Sequence, residues 1–206
     1  MRFEDWEPFY TEILDYFSFD RAGDEEAARI LDTLLDRDDC AALAALCAGR
    51  TVTVCGNAPT LPAEIGRIEG TVFAADAAAD LLYARGIRPD AVFTDLDGAT
   101  DAFEEMNREG TVLVVHAHGD NIPLLRLRVP RYAGPIVGTT QARPFGRIHN
   151  FGGFSDGDRA AFAAHALGAS RVVLVGFDLD DPDVDPVKRG KLRWARRLLA
   201  LLGHEI

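Results

Sequence analysis

Lysine is almost missing from this chain. Lys188 and Lys191 are the only lysines among 22 basic residues, and 33 acidic residues bring the net charge of the 206-residue sequence to −11. A deficit of positive charge argues against a nucleic-acid-binding face, because phosphate contacts need clustered cations and exposed carboxylates oppose them. Cysteine is scarce too. Cys40, Cys47 and Cys55 are too few, and odd in number, for a disulfide framework, so reduced thiols in a cytoplasmic protein are expected. The longest low-polarity stretch, Ala41 to Gly49, falls far short of a bilayer span. The opening Met1-Arg2-Phe3-Glu4-Asp5 carries acids where a secretory leader carries positive charge. No Gly-Lys-Ser/Thr loop and no Gly-x-Gly-x-x-Gly fingerprint occurs, so any nucleotide must be held by other means. Abundant Asp with so little Lys suits concentrated salt, where an acidic surface keeps a protein soluble, and suggests a halophilic, archaeal source.

What is present describes an ordinary folded core. Hydrophobic residues make up 48% of the chain and charged ones 27%, which excludes disorder and suits one domain with a sizeable interior. Phe3, Trp6, Phe9, Tyr10, Ile13, Leu14 and Phe17 recur at three- and four-residue intervals and predict a first helix. A second is expected from near Asp24, with Leu31, Leu34, Leu35, Leu43 and Leu46 on its apolar side and Gly49 ending it. Residues 1–49 thus read as a helical extension packed on an α/β domain of residues 50–206. From Thr51 the pattern changes to short apolar runs at 51–55, 71–74, 91–94, 111–116, 135–137 and 171–175. Segments of helical length separate many of them, at 77–85, 101–108, 156–167 and 186–202. This alternation predicts a Rossmann-like, mainly parallel sheet with helices on both faces. Such sheets bind ligands beyond the carboxyl ends of their strands.

Those ends are small and acidic: Gly56-Asn57-Ala58-Pro59, Ala75-Asp76, Thr94-Asp95-Leu96-Asp97-Gly98, His116-Ala117-His118-Gly119-Asp120-Asn121, Gly138-Thr139-Thr140-Gln141 and Gly176-Phe177-Asp178. If the loops converge on one rim, Asp76, Asp95, Asp97 and Asp120 repel one another unless a cation lies among them. Oxygen-only ligands at an open site suit Mg²⁺. Taken singly, each Asp is equally at home in a turn or a helix cap. His116 reads as a packed residue, since Zn²⁺ would need further N or S ligands; His118, nearer the rim, can hydrogen-bond a phosphate or substrate. Lys188 and Lys191, three apart, share one helix face and suit a phosphate chain, or simply solvent. Asp95-Leu96-Asp97-Gly98 also invites comparison with haloacid-dehalogenase-type phosphatases, but Ala99 follows the glycine and two strands precede the motif.

Taken in order, these strings, with Asn150-Phe151-Gly152-Gly153-Phe154-Ser155-Asp156-Gly157-Asp158 and Lys188 to Leu192, resemble the archaeal 6-hydroxymethyl-7,8-dihydropterin pyrophosphokinases, a family related in fold to thiamine pyrophosphokinases. The likeness runs from about Val52 to Leu192, and Asn57 departs from it where a second small residue is expected. The resemblance implies transfer of diphosphate from ATP to the hydroxymethyl group of a reduced pterin, releasing AMP, in folate or methanopterin-type biosynthesis. It implies Asp95, Asp97 and Asp120 as Mg²⁺ ligands, with Asp76 in the same acidic, catalytic cluster. Asn57, Asp76, His118 and Asn121 are the expected pterin contacts, and Thr139, Thr140, Gln141, Lys188 and Lys191 the expected nucleotide contacts. A homodimer is the default by the same likeness. The competing readings are a thiamine pyrophosphokinase-like enzyme, a nucleotide-sugar glycosyltransferase using Asp95 and Asp97 with Mn²⁺, and a module that senses ATP or metal without turnover.

Overall fold

The β-branched runs of the sequence become the strands of a single parallel sheet. The structure is a computed structural model and describes residues 1–204. Strands β1 (Thr51–Cys55), β2 (Thr71–Ala75), β3 (Ala91–Thr94), β4 (Val112–Ala117), β5 (Ile136–Thr140), β6 (Ile148–His149) and β7 (Arg171–Val175) lie in the order β6-β5-β4-β3-β2-β1-β7. All six pairings are parallel. Strands β2 to β5 are buried at every residue, so they read as continuous apolar runs rather than as alternating ones.

The order decides where the helices go. From β1 to β6 each crossover steps the same way, and right-handed connections keep the intervening helices on one face. There α4 (Leu61–Glu64), α5 (Ala78–Tyr83), α6 (Asp101–Arg108) and α7 (Ile122–Arg128) pack with α2 (Arg21–Leu34) on Val72, Ala74, Val92, Leu113 and Val115. The return to β7 on the far side of β1 puts α8 (Asp156–Ala166) on the opposite face. It packs there with α3 (Cys40–Cys47) and Leu199 of α9 (Pro186–Leu201) on Val52, Val54, Phe73, Phe93 and Val114. Neighbours such as Val72 and Phe73 thus serve opposite faces, as the two-residue period of a strand requires. The stripe predicted for the first helix is real. In α1 (Phe3–Phe17), Phe3, Trp6, Tyr10, Ile13 and Leu14 close a third cluster with Phe154, Phe162, Trp194 and Leu198.

The chain departs from expectation in three places. The single helix expected from near Asp24 to Leu46 is two helices, and the first begins at Arg21 under an Asp20 cap that accepts the Ala22 and Gly23 amides. Between them, side chains take over from the helical ladder: Asp38 accepts the Cys40 amide and Asp39 the Ile136 amide, both at 2.9 Å. Strand β5 runs on to Thr140, beyond the expected end at Val137. Helices α4 and α7 and the two-residue β6 were not anticipated; both helices are short and carry a proline in their first turn. Cys47 and Cys55 are buried free thiols, and Cys40 is half-buried. No described helix is long and apolar enough to cross a membrane.

Candidate active site

The winding direction reverses between β1 and β7, and the crevice opens there. The loops leaving these strands are pressed together. A Cβ on Gly56 would lie 2.6 Å from the Gly176 carbonyl oxygen, and one on Gly176 2.7 Å from that of Gly56. Next to this floor, β2 is followed by Asp76 in the left-handed region (φ 45°), its amide donating to the Phe93 carbonyl at 2.8 Å. The Thr94 hydroxyl donates to Asp76 Oδ1 at 2.7 Å and accepts the Leu96 amide at 2.8 Å. Leu96 is itself left-handed (φ 75°). Two non-glycine residues in this costly conformation at one rim mark a backbone held in place by its surroundings. Gly98 completes the turn, and a Cβ there would fall 2.0 Å from Asp76 Oδ2.

The third contributor comes from the other face of the sheet. Asp156 opens α8, and Asp158 does the capping, accepting the Phe154 amide at 2.6 Å and the Ser155 amide at 2.8 Å. Asp156 is thereby free to face the crevice, where Arg159 Nη1 donates to its Oδ1 at 3.1 Å. Carboxylate oxygens of Asp76, Asp95 and Asp156 lie within 4.8 Å of one another.

Around them is a cleft of about 700 Å³, lined by nine aspartates and three cations, Arg159, Lys188 and Lys191. The electrostatics show a surplus of negative charge. Burial, reinforced by neighbouring carboxylates, raises Asp76, Asp97 and most strongly Asp156 above the ordinary carboxylate range. Burial pushes Asp95 the same way, but His118, the Asp97 amide and the Arg159 charge outweigh it and hold Asp95 low. Oxygen-only donors this close, with too little positive charge, fit a hard divalent cation such as Mg²⁺.

The structure sorts the residues expected here. Asp76 and Asp95 stand in the close trio. Asp97 and Asp120 are exposed on the cleft wall, outside it. Asn57 is exposed on the same wall, and His118 Nε2 lies 3.5 Å from Asp95 Oδ2. Lys188 and Lys191 line the cleft from α9, with no carboxylate at ion-pair distance among the described residues. Three expectations need correction. Asn121 borders the cleft but is buried, and its amide bonds the backbone, accepting the His118 amide and donating both its N–H groups to the Asp95 and His116 carbonyls, so it has no donor left with which to read a substrate. Thr139 and Thr140 are buried in β5, bonded to Val115 and His116 and to the Ala142 amide, and face no cleft. Gln141 does line the cleft, but at the end built by the N-terminal helices. Its Nε2 donates to Asp24 Oδ2 at 2.8 Å, and its carbonyl accepts from Trp6 Nε1 at 2.9 Å. Asp24 also accepts the Tyr10 hydroxyl and the Gly119 amide, and Phe19 adds an aromatic wall. The first two helices therefore shape the cleft. Asp156, Arg159 and Asp24 were not singled out from the sequence; two acids opening a helix where one suffices as a cap was the available signal for Asp156.

Comparison with known proteins identifies the family. A family model described as 6-hydroxymethylpterin diphosphokinase MptE-like matches residues 27–184, a span that holds the three clustered aspartates but not the two lysines. The curated 6-hydroxymethyl-7,8-dihydropterin pyrophosphokinase of Methanothermobacter thermautotrophicus is 43% identical over 219 residues, covering 97% of this chain and 94% of that protein. Its namesake from Pyrococcus furiosus is 39% identical over 222 residues, covering 98% and 94%. Among solved structures, the MAf glycosyltransferase of Magnetospirillum magneticum superposes at a TM-score of 0.45 with 18% identity, over 78% of this chain and 29% of that one, a likeness too loose to carry an argument.

Proposed function

The chain belongs to the MptE-like 6-hydroxymethylpterin diphosphokinase family, and from that premise we propose that it transfers diphosphate from ATP to 6-hydroxymethyl-7,8-dihydropterin in a Mg²⁺-dependent reaction. It is an enzyme, a pterin pyrophosphokinase. The observation that carries the finer reading is the trio Asp76, Asp95 and Asp156 across one cleft from Lys188 and Lys191, which have no ion-pair partner among the described residues. A triphosphate cannot approach nine aspartates without a counter-charge, and this arrangement offers two sources of it.

In the reaction the pterin hydroxymethyl oxygen attacks the β-phosphorus. A new O–P bond forms, the α,β-bridging bond breaks with its electron pair on the α-phosphate, AMP leaves, and the alcohol proton passes to solvent water. Asp76, Asp95 and Asp156 would hold Mg²⁺, which would supply charge neutralisation on the phosphate oxygens. Asp97, on the exposed side of the trio and within reach of the Lys191 charge, lies where it can orient bound water or a lysine. His118 and Arg159 position the trio by bonding Asp95 and Asp156. Lys188 and Lys191 steady the phosphate chain, and most of the acceleration comes from alignment. The pterin fits the end built by α2. Gln141 Oε1 is a buried acceptor without a partner among the described residues, suited to a ring N–H, and Phe19 and Phe154 offer apolar walls. The product carries a diphosphate leaving group, as a folate- or methanopterin-type coupling step requires.

The test is the product. Purified protein with ATP, Mg²⁺ and the reduced pterin is expected to release AMP and pterin diphosphate in equal amounts. Release of ADP with pterin monophosphate means single phosphoryl transfer and sinks the mechanism.

A further inference from the structure

A second group of metal-binding side chains lies outside the cleft, at the edge of the sheet. Cys40 opens α3, Asp38 lies two residues before it, and His149 ends the edge strand β6. One donor atom from each lies within 4.8 Å of the other two. His149 Nε2 is 3.0 Å from the Asp38 carboxylate, across 111 residues of sequence.

Two of the side chains are fixed by their neighbours. The His149 ring stacks on Phe151 at 5.7 Å between centroids with 4° between planes. The Asp38 carboxylate is oriented by the Cys40 amide. Arg37, the nearest cation in sequence, pairs with Asp39, so His149 is the only ion-pair partner of Asp38 among the described residues.

We propose that Asp38, Cys40 and His149 form a divalent metal site of the zinc class, with a fourth position open to solvent. The donor set decides the class. Sulfur, imidazole nitrogen and carboxylate suit Zn²⁺ or Co²⁺, whereas the all-oxygen cleft suits Mg²⁺, so the two sites sort their ions by chemistry. Distance agrees: tetrahedral edges around zinc are roughly 3.3–3.6 Å for these ligands, so the ion seats with side-chain shifts of about an ångström or less. The ion fastens β6 to the connection between α2 and α3.

The experiment uses the whole chain, reduced, with excess Mg²⁺ to occupy the cleft. Titration with Co²⁺ is expected to give one ion per chain with a thiolate-to-cobalt charge-transfer band, which Zn²⁺ abolishes. Zn²⁺ is also expected to raise the melting temperature. Cys40→Ser is expected to lose the band and bind Zn²⁺ at least ~10-fold more weakly, with pterin diphosphate formation unchanged. A folded wild-type chain that gives no such band, or a band that survives Cys40→Ser, overturns the proposal. The cleft has no sulfur among its lining residues, so either result leaves the reading of the active site untouched.

Discussion

Asp156→Asn separates a metal trio from a chance gathering of acids. The side chain is 16% exposed, and its oxygen lies within 4.8 Å of carboxylate oxygens of both Asp76 and Asp95. At an effective dielectric of ~20, each such pair repels by about 3 kcal/mol. Arg159, 3.1 Å from Asp156, cancels most of this, and the amide oxygen of the variant can still accept from it. The metal-free variant is therefore expected to be more stable than the wild type by about 1–2 kcal/mol, or ~2–8 °C in melting temperature for a chain of this size. The pH dependence has a definite sign. Asp156 is raised in the folded state above its ordinary 3.8, so the folded chain binds the proton more tightly than the unfolded chain. Wild-type stability without metal therefore falls as pH rises from the ordinary carboxylate range through the raised value. In the variant that decline is expected to be shallower; Asp76, raised for the same reason, keeps part of it. Mg²⁺ reverses the comparison, stabilising the wild type and doing little for the variant, whose turnover at fixed Mg²⁺ is expected to drop at least ~10-fold. Thermal melts from pH 4 to 8 with and without Mg²⁺, with the AMP assay alongside, measure all of this. A metal-free variant that melts below the wild type, with an unchanged response to Mg²⁺, refutes the reasoning.

Three further outcomes follow from the same geometry. Asp95→Asn is expected to cut turnover at least ~10-fold by loss of metal, and Asp97→Asn to do so with a weaker effect on Mg²⁺ affinity; wild-type rates at saturating Mg²⁺ would remove either residue from the mechanism. Changing Lys188 and Lys191 together to Ala is expected to raise the KM for ATP several-fold with kcat largely kept, and an unchanged KM would return that helix face to solvent. Gly98→Ala places a methyl 2.0 Å from Asp76 Oδ2, so the expected result is a folded protein with Mg²⁺ affinity and turnover both reduced, checked by circular dichroism beside the rate.

The fold was legible wherever one period dominated. Thr51–Cys55, Ala91–Thr94 and Arg171–Val175 stand in the structure as read, and the aromatic stripe of α1 has the predicted span. Helices α4 and α7 escaped because a four- to seven-residue helix opened by proline shows barely one turn of periodicity. The Leu31-to-Leu46 pattern misled because two helices in succession can mimic one stripe, and only the tertiary partners of Asp38 and Asp39 reveal the break. Asp76 and Asp95 were readable as strand-end acids. Asp156 was not, since an acid in the first turn of a helix is usually explained by the helix itself. Asn121 looked free for the opposite reason: its partners are backbone groups brought together only by the turn after β4.

The bond from Trp6 Nε1 to the Gln141 carbonyl spans 135 residues. During synthesis at ~5–20 residues per second, that partner emerges roughly 7 to 27 s after Trp6 does. Over this interval Trp6 and Tyr10 have no Gln141, Phe154 or Trp194 to close over them. The nascent chain thus leaves the ribosome with its most aromatic segment bare. That segment gains its cover only once Gln141, Phe154 and Trp194 have been made.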